Sequence, residues 1–146
     1  MQNHLTVGAL RAPGRLAIPP LVRARKDESS AYIFVHVGRG LCGHDGIVHG
    51  GLLATLVDEA SARTALLNLP THVGVTARLE MNYKNPVRAD RFIVIKSKLV
   101  ERKGRKAVVE STVEDLDGTV YVQSRYGETR WSFLQLLITS RIGRSL

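Results

Sequence analysis

The stretch that decides the fold of this chain reads Gly46-Ile47-Val48-His49-Gly50-Gly51-Leu52-Leu53-Ala54-Thr55-Leu56-Val57-Asp58-Glu59. A His-Gly-Gly turn begins a long apolar helix, expected over residues 50–67 because Asn68 and Pro70 stop it. Free N–H groups at a helix start attract negative charge. A carboxylate on an apolar helix, such as Asp58, is costly without a partner or a chemical role. The stretch therefore supplies an oxyanion-type donor and a candidate general base.

The residues around this helix have the period of strands. We expect a first strand over residues 32–37, a long strand with one buried and one open face over 72–84, and further strands over 91–102, 105–115 and 119–125. Turn signals at Lys103-Gly104 and Asp117-Gly118 predict that the four strands after the helix follow one another as antiparallel hairpins. The predicted fold class is α+β, with one long central helix wrapped by a curved antiparallel sheet of about five strands.

Composition and charge divide the chain into three parts. Its 146 residues, 44% apolar and 23% charged, are typical of one globular domain, which we assign to residues 31–130. Residues 1–30 are predicted to be an irregular basic segment and residues 131–146 an atypical tail, whose apolar part 131–138 continues the last strand or forms a short packed segment. Residues 1–26 hold five basic side chains and residues 130–146 hold three; neither range contains an acid, so together they carry the whole net charge of +8.

This distribution of charge bounds the function. Nucleic-acid binding is not expected, because the basic charge does not lie on the folded body. No apolar run is long enough for an integral membrane segment. The single cysteine, Cys42, fits a reducing compartment. An arginine-rich start without acids is typical of a mitochondrial presequence, whereas Pro13, Pro19 and Pro20 oppose the helix that such a segment needs, so cytoplasm and mitochondrion both stay open.

The positions of Gly50 and Asp58 predict a shared site. Eight residues of one helix separate them by about 12 Å along its axis. One acyl carbon cannot lie close to both the Gly50 amide and a water held by Asp58 of the same helix. Two antiparallel copies related by a two-fold axis would bring the two groups together, so we expect a homodimer with two equivalent sites.

Several motifs in order resemble the hotdog-fold acyl-CoA thioesterases, in particular the PaaI-like branch that holds thioesterase superfamily member 4 and its fungal relatives. The similarity covers about residues 31–125. It rests on Gly43-His44-Asp45-Gly46-Ile47-Val48-His49-Gly50-Gly51 with Asp58 nine residues after His49, on Val75-Thr76-Ala77, on Asn82-Tyr83-Lys84-Asn85-Pro86 and on Gly104-Arg105-Lys106. The sequence departs from the family after Arg125, where a small, apolar strand end is expected and Tyr126-Gly127-Glu128-Thr129-Arg130 stands instead.

The resemblance implies a hotdog fold, a dimer or a dimer of dimers, and hydrolysis of acyl-CoA. It also implies roles for individual residues. Asp58 is the catalytic carboxylate, the Gly50 amide polarises the thioester carbonyl, and the Thr76 hydroxyl helps to hold the water. For His49 the residues themselves leave two roles open: orientation of the turn that precedes the helix, which we expect, and proton transfer. The residues expected to contact the CoA ester are Gly51, Asn82, Lys84, Arg105 and Lys106.

Several alternatives stay open at this point. Asp58 could act as a general base or attack the ester itself through a mixed anhydride. The chain could bind acyl-CoA without hydrolysing it, or be a hotdog hydratase or dehydratase, although the spacing of His49 and Asp58 does not suit the latter. His44, Asp45 and His49 do not make a complete ligand set, so neither a metal nor another cofactor is expected.

Overall fold

The structure is a computed structural model and describes residues 4–129 of the chain. Its elements in chain order are a π-helical turn (Leu5–Ala9), β1 (Leu21–Ala24), β2 (Ser30–Val37), a 3₁₀ turn (Arg39–Leu41), β3 (Cys42–His44), β4 (Ile47–Val48), α1 (Gly50–Leu67), β5 (Val75–Tyr83), β6 (Arg91–Lys103), β7 (Lys106–Glu114) and β8 (Val120–Thr129). The apolar segment 131–138 and the rest of the tail lie outside the described residues. Between residues 4 and 129, no helix has the length and apolar character to cross a membrane.

The main sheet confirms the predicted fold class. Six strands form one antiparallel sheet in the order β1-β2-β6-β7-β8-β5, and a small hairpin of β3 and β4 precedes the helix. Helix α1 packs against β2, β5, β6, β7 and β8, so the sheet wraps around it. The helix has the predicted bounds, Gly50–Leu67. The sheet has one strand more than expected because β1 pairs with β2 along its outer edge.

The prediction that the four strands after the helix follow one another as hairpins is wrong for the first pair, β5 and β6. β5 does not pair with β6 but lies beside β8, with Val75 opposite Thr129 and Tyr83 opposite Val122. The edge of β6 that faces away from β7 is occupied by β2, from Ser30↔Lys98 to Val37↔Arg91. The chain from β5 to β6 therefore crosses from one side of the sheet to the other, past the start of the helix, where Val48 N–H donates to the Val87 carbonyl at 2.8 Å.

The segment before residue 31 is more regular than expected. It contributes β1, and Leu16 lies in the core with 2% of its surface exposed. The π-helical turn packs near the middle of α1, where the Thr6 hydroxyl donates to Glu59 at 2.6 Å. Apolar side chains and a hydrogen bond to the helix therefore attach this segment to the folded body.

The buried face of α1 explains why the helix is central. Its buried residues are Leu52, Leu53, Leu56, Val57, Ala60, Ser61, Thr64 and Ala65. Each large apolar side chain removed from water contributes about 1.5–3 kcal/mol. Each of the two buried hydroxyl groups of the helix has a hydrogen-bond partner on the sheet: Ser61 pairs with Ser111 at 2.9 Å, and Thr64 pairs with Ser97 at 2.8 Å. A helix that is apolar over so wide a face must be buried, and here the curved sheet buries it.

Strand β5 was predicted to have one buried face, and in the single chain this holds only in part. Leu79 and Met81 are half-buried, whereas Val75 and Tyr83 are 37% and 49% exposed. Among residues 4–129, β5 is the outer strand of the sheet, and β8 pairs with one of its edges only. A nine-residue outer strand with exposed apolar side chains is a surface onto which a second strand can pair.

Candidate active site

The start of α1 leaves one backbone donor free. His49 caps the helix, and its Nδ1 accepts a hydrogen bond from Gly51 N–H at 2.9 Å. The His49 carbonyl accepts from the N–H groups of Leu52 and Leu53 at 3.0 and 3.2 Å. Within the described part of the chain, the Gly50 N–H has no hydrogen-bond partner. The positive end of the helix therefore presents the Gly50 amide as a donor for an anionic oxygen.

Two glycines make room for the imidazole ring of His49. A Cβ atom at Gly51 would lie 2.9 Å from His49 Cε1, and one at Gly43 would lie 3.0 Å from His49 Cδ2. Such distances are shorter than ordinary carbon contacts, so a side chain at either position would move the ring. The glycines of the motif therefore hold the cap, and through it the direction of the Gly50 amide.

A cleft of about 510 Å³ opens at this helix start. It is lined by the small β3–β4 hairpin, the first turn of α1 and the chain after β5. Tyr83 closes one side, and its hydroxyl donates to the Gly50 carbonyl at 2.7 Å. Lys84 brings a cation to the same cleft. We call His49, Gly50, Gly51, Tyr83 and Lys84 the helix-start site; it suits a ligand with a polarised carbonyl and an anionic part.

Asp58 lies away from this cleft. Its side chain is half-buried, and its Oδ1 accepts a hydrogen bond from the Thr76 hydroxyl at 2.8 Å. Thr76 faces the helix because β5 has a bulge between Thr76 and Arg78, which leaves Ala77 as the extra residue. Without the bulge, the alternation of the strand would turn Thr76 to the side opposite Leu79.

Sequence reasoning missed two residues next to this pair. The Tyr126 hydroxyl lies 3.1 Å from the Thr76 hydroxyl and is hydrogen-bonded to Glu128 Oε2. Glu128 is 2% exposed, and burial raises the pKa of its carboxyl, with the charge of Asp58 acting in the same direction. Burial likewise raises the pKa of Tyr126. We call Asp58, Thr76, Tyr126 and Glu128 the carboxylate site. The signal in the sequence was an acid two residues after an aromatic residue, on the buried side of a strand.

The candidate CoA contacts lie at two ends of the molecule. Lys84 belongs to the helix-start site, and Asn82 is exposed on β5 beside it. Arg105 and Lys106 are exposed at the turn between β6 and β7. Lys106 is the register partner of Thr129, so this turn lies at the end of the sheet that holds the carboxylate site. Gly51 also belongs to the helix-start site, so one chain does not bring its five candidate CoA contacts together.

The same separation applies to the two proposed reacting groups. Gly50 contacts Tyr83 at the end of β5, and Asp58 contacts Thr76 near its beginning. α1 and β5 run in opposite directions, so the helix-start site lies at the end of β5, and the carboxylate site lies near its beginning and half-way along α1. Residues 4–129 contain no group of three His, Cys, Asp or Glu side chains placed to hold a metal ion.

Comparison with known proteins places this geometry among thioesterases. The family model of the thioesterase superfamily matches residues 45–122, which include Asp58, Thr76 and the helix-start site but not Tyr126 or Glu128. The chain is 36% identical to MIOREX complex component 3 of Saccharomyces cerevisiae, over 90% of this chain and 48% of that protein. It is 33% identical to an uncharacterized mitochondrial protein of Candida albicans, over 79% of this chain and 52% of that one.

A further relative has an assigned activity. The acyl-coenzyme A thioesterase THEM4 of Mus musculus is 34% identical over 60% of this chain and 37% of its own length. The chain spans about half the length of the first curated relatives that it matches. These matches show the family of the chain, and the activity of the whole protein is a proposal.

Solved structures agree with the fold. A thioesterase superfamily protein superposes with a TM-score of 0.66 at 25% identity, over 75% of this chain and 55% of that one. A hypothetical thioesterase of Streptococcus pneumoniae, solved with coenzyme A, superposes with a TM-score of 0.68 at 21% identity, over 76% of this chain and 87% of that one. The second likeness shows the fold alone, which is the predicted hotdog arrangement.

Proposed function

Because the chain belongs to the thioesterase superfamily, we propose that it is an acyl-CoA thioesterase that hydrolyses acyl-CoA to the free acid and CoA. The observation that carries the proposal is the free Gly50 N–H at the start of the helix that also holds Asp58 against the Thr76 hydroxyl. A donor for the oxyanion and a carboxylate for the water are the two groups that this reaction needs. The activity of the mouse relative and the coenzyme A bound to the streptococcal neighbour support the same substrate class.

In the proposed reaction, Asp58 takes a proton from a water molecule, whose oxygen attacks the thioester carbon. The Gly50 amide stabilises the oxyanion that forms on the carbonyl oxygen. The carbon–sulfur bond then breaks, and CoA leaves as a thiolate, which needs little acid assistance because thiols are fairly acidic. Direct attack by Asp58, with a mixed anhydride that water then hydrolyses, uses the same two groups and remains the alternative route.

Thr76 and His49 have supporting roles in this proposal. The hydrogen bond from Thr76 to Asp58 Oδ1 leaves Oδ2 available for the water. The imidazole of His49 is engaged through Nδ1 in the cap, so we assign it the orientation of the Gly50 amide and not proton transfer. A thiol-release assay with short, medium and long acyl-CoAs tests the function, with Asp58→Asn beside the unchanged protein. We expect the variant to lose about 10²–10⁴-fold in kcat.

The rival readings give different results in this assay. Binding of acyl-CoA by calorimetry without any thiol release would identify a non-catalytic acyl-CoA-binding protein. Conversion of enoyl-CoA, followed spectroscopically, would identify a hydratase or dehydratase. Thiol release that Asp58→Asn leaves unchanged would show that another group performs the hydrolysis.

The active unit in this proposal is a homodimer formed through β5. Within the part of the chain that the structure describes, the outer edge of β5 has unpaired backbone groups and exposed apolar side chains, both of which a second strand would cover. An antiparallel pairing of two β5 strands centred near Leu79 and Glu80 would place Thr76 of one chain near Tyr83 of the other. Asp58 would then approach the Gly50 amide of the second copy, and one ester could contact both.

The same pairing would assemble the CoA contacts. Asn82, Lys84 and Gly51 come from the chain that provides the helix-start site, and Arg105 and Lys106 come from the chain that provides Asp58. Cations of this kind bind the phosphates of CoA by charge-assisted hydrogen bonds. Association of two such dimers into a tetramer is compatible with this site but is not needed to complete it.

Mixing two inactive variants tests the shared site. A chain with Asp58→Ala and a chain with Gly51→Ala should each have little activity. In a mixed dimer one of the two sites receives both defects and the other receives neither. We therefore expect equal amounts, after unfolding and refolding together, to recover about a quarter of the unchanged activity. No recovery in mixed dimers of demonstrated composition would show that each site lies within one chain.

We propose a mitochondrial location, on the support of the Candida albicans relative that is named mitochondrial. The cytoplasm is the alternative. Fractionation of cells that express the full chain, with protease protection of the organelles, distinguishes the two.

A further inference from the structure

The carboxylate site contains more oxygen atoms than the proposed reaction uses. Asp58 Oδ1 and the Thr76 hydroxyl are 2.8 Å apart, the hydroxyls of Thr76 and Tyr126 are 3.1 Å apart, and Tyr126 contacts Glu128 Oε2. These four groups form one continuous row from the buried Glu128 to the accessible Asp58. Thr76 and Glu128 are register partners on β5 and β8, and Tyr126 lies on the same face of β8 as Glu128, so the strands themselves hold the row.

The hydrogens of this row can be counted. Three contacts between oxygens need three hydrogens if each contact is a hydrogen bond. With both carboxyl groups ionised, only the hydroxyls of Thr76 and Tyr126 bring a hydrogen. Thr76 would donate to Asp58 and Tyr126 to Glu128, and the two hydroxyl oxygens would then face each other without a hydrogen between them. One further proton, on one of the carboxyl groups, completes the row.

The surroundings decide which carboxyl holds that proton. Glu128 is 2% exposed, and its Oε1 has no hydrogen-bond partner among the described residues. Oε1 lies against the backbone of Gly74, where an added Cβ would be 2.5 Å away. In the described part of the chain no cation forms an ion pair with Glu128. Ionisation of a buried carboxyl group without a cation costs much free energy, and it costs less at Asp58, which is only half-buried. The further proton therefore belongs on Glu128.

We propose that Glu128 is a positioning residue: as a neutral carboxylic acid it donates to Tyr126, which donates to Thr76, which donates to Asp58. The inference rests on the proposed function only for the role of Asp58. All the hydrogens of the row then point towards Asp58, which accepts a hydrogen bond from Thr76. The arrangement fixes the rotation of the Thr76 hydroxyl and keeps a second negative charge out of the site.

Glu128 has few titratable neighbours. Asp58 on α1 and Tyr126 on β8 belong to the row itself. Its register partners, Thr76 on β5 and Ala107 on β7, carry no titratable group. The protonation of Glu128 therefore depends on its burial and on the other members of the row. Of the other two titratable groups, Asp58 is the accessible one, so we follow the effect of a substitution at Glu128 through the pH dependence that Asp58 gives to hydrolysis.

A measurement without substrate tests the protonation state. In protein labelled with carboxyl-¹³C glutamate, the resonance that Glu128→Gln removes identifies Glu128, and its chemical shift reports whether the group is neutral or ionised. We expect the shift of a neutral acid at pH 7. The shift of an ionised carboxylate at pH 7 would overturn the proposal, even if the protein proves to have no thioesterase activity.

The pH profile of hydrolysis tests the role. Glutamine, like a neutral carboxylic acid, is uncharged and can donate a hydrogen bond. Glu128→Gln should therefore leave the acidic limb of the kcat/KM profile in place and lower kcat less than about threefold. If Glu128 were ionised, the same variant would remove a negative charge beside Asp58 and move that limb to lower pH. That movement would overturn the proposal.

A variant without a donor completes the test. Glu128→Leu removes the hydrogen that begins the row, so kcat should fall about tenfold and the acidic limb should move to higher pH, because Asp58 loses part of its hydrogen bonding. Thermal unfolding monitors folding of both variants. Glu101→Gln, an exposed substitution on β6, is the matched control and should change neither quantity. Equal profiles for Glu128→Leu and Glu128→Gln would show that the donor has no role.

Discussion

Replacement of Gly51 by alanine tests the helix-start site, because its expected effects on activity and on stability differ greatly. The new Cβ would lie 2.9 Å from His49 Cε1 and 3.0 Å from Nδ1, so the imidazole must leave the position in which it caps the helix. Loss of a cap costs about 1 kcal/mol. Alanine in place of glycine within a helix stabilises the folded state by up to about 1 kcal/mol. The two effects nearly cancel, and we expect the free energy of unfolding to change by less than about 1 kcal/mol.

Hydrolysis should respond more strongly. Once the cap is lost, the first turn of α1 rotates and the Gly50 amide no longer points into the cleft. Loss of one oxyanion donor costs about 10²–10³-fold in kcat. Urea unfolding and thiol release, measured on the same preparation, give the two quantities. A Gly51→Ala protein that kept kcat within about threefold would refute the assignment of the Gly50 amide as the oxyanion donor.

A matched variant separates capping from proton transfer at His49. Asparagine caps helices as well as any residue but does not titrate near neutral pH. If the imidazole only accepts the bond from Gly51 N–H, His49→Asn should retain stability and most of the activity. A loss as large as that of Asp58→Asn would mean that His49 transfers protons.

Three further predictions concern other parts of the molecule. Burial raises the pKa of Glu128, so the unchanged protein should lose stability as pH rises from about 4.5 through the raised value, by up to about 1.4 kcal/mol per pH unit, and Glu128→Gln should not. Urea unfolding across pH would show parallel curves if this is wrong. Ser61→Ala should cost about 1–3 kcal/mol because Ser111 is left unpaired, and the double change to alanine should cost less; equal costs would contradict the pairing. Lys84→Ala should raise KM for acyl-CoA about tenfold with kcat unchanged, a difference that high salt reduces; a fall in kcat alone would exclude a binding role.

Local signals were enough to predict the helix and its bounds. The glycines, the apolar run and the stop at Asn68 and Pro70 gave α1 its observed bounds, because each of these signals acts on neighbouring residues. The hairpin of β6 and β7 follows in the same way from the turn at Lys103-Gly104. The motif of the family added Asp58, Thr76 and the Gly50 amide as candidates.

The sequence by itself therefore determined which segment becomes the central helix, how it begins and which fold class surrounds it. Only the tertiary structure decided that β5 lies beside β8, that a bulge turns Thr76 towards Asp58, and that Tyr126 and Glu128 complete the row behind it. Strand order and register depend on pairings between residues far apart in the chain, which a local pattern does not contain. One extra residue in a strand reverses the side of every residue beyond it, so the alternation that predicted β5 could not predict the direction of Thr76.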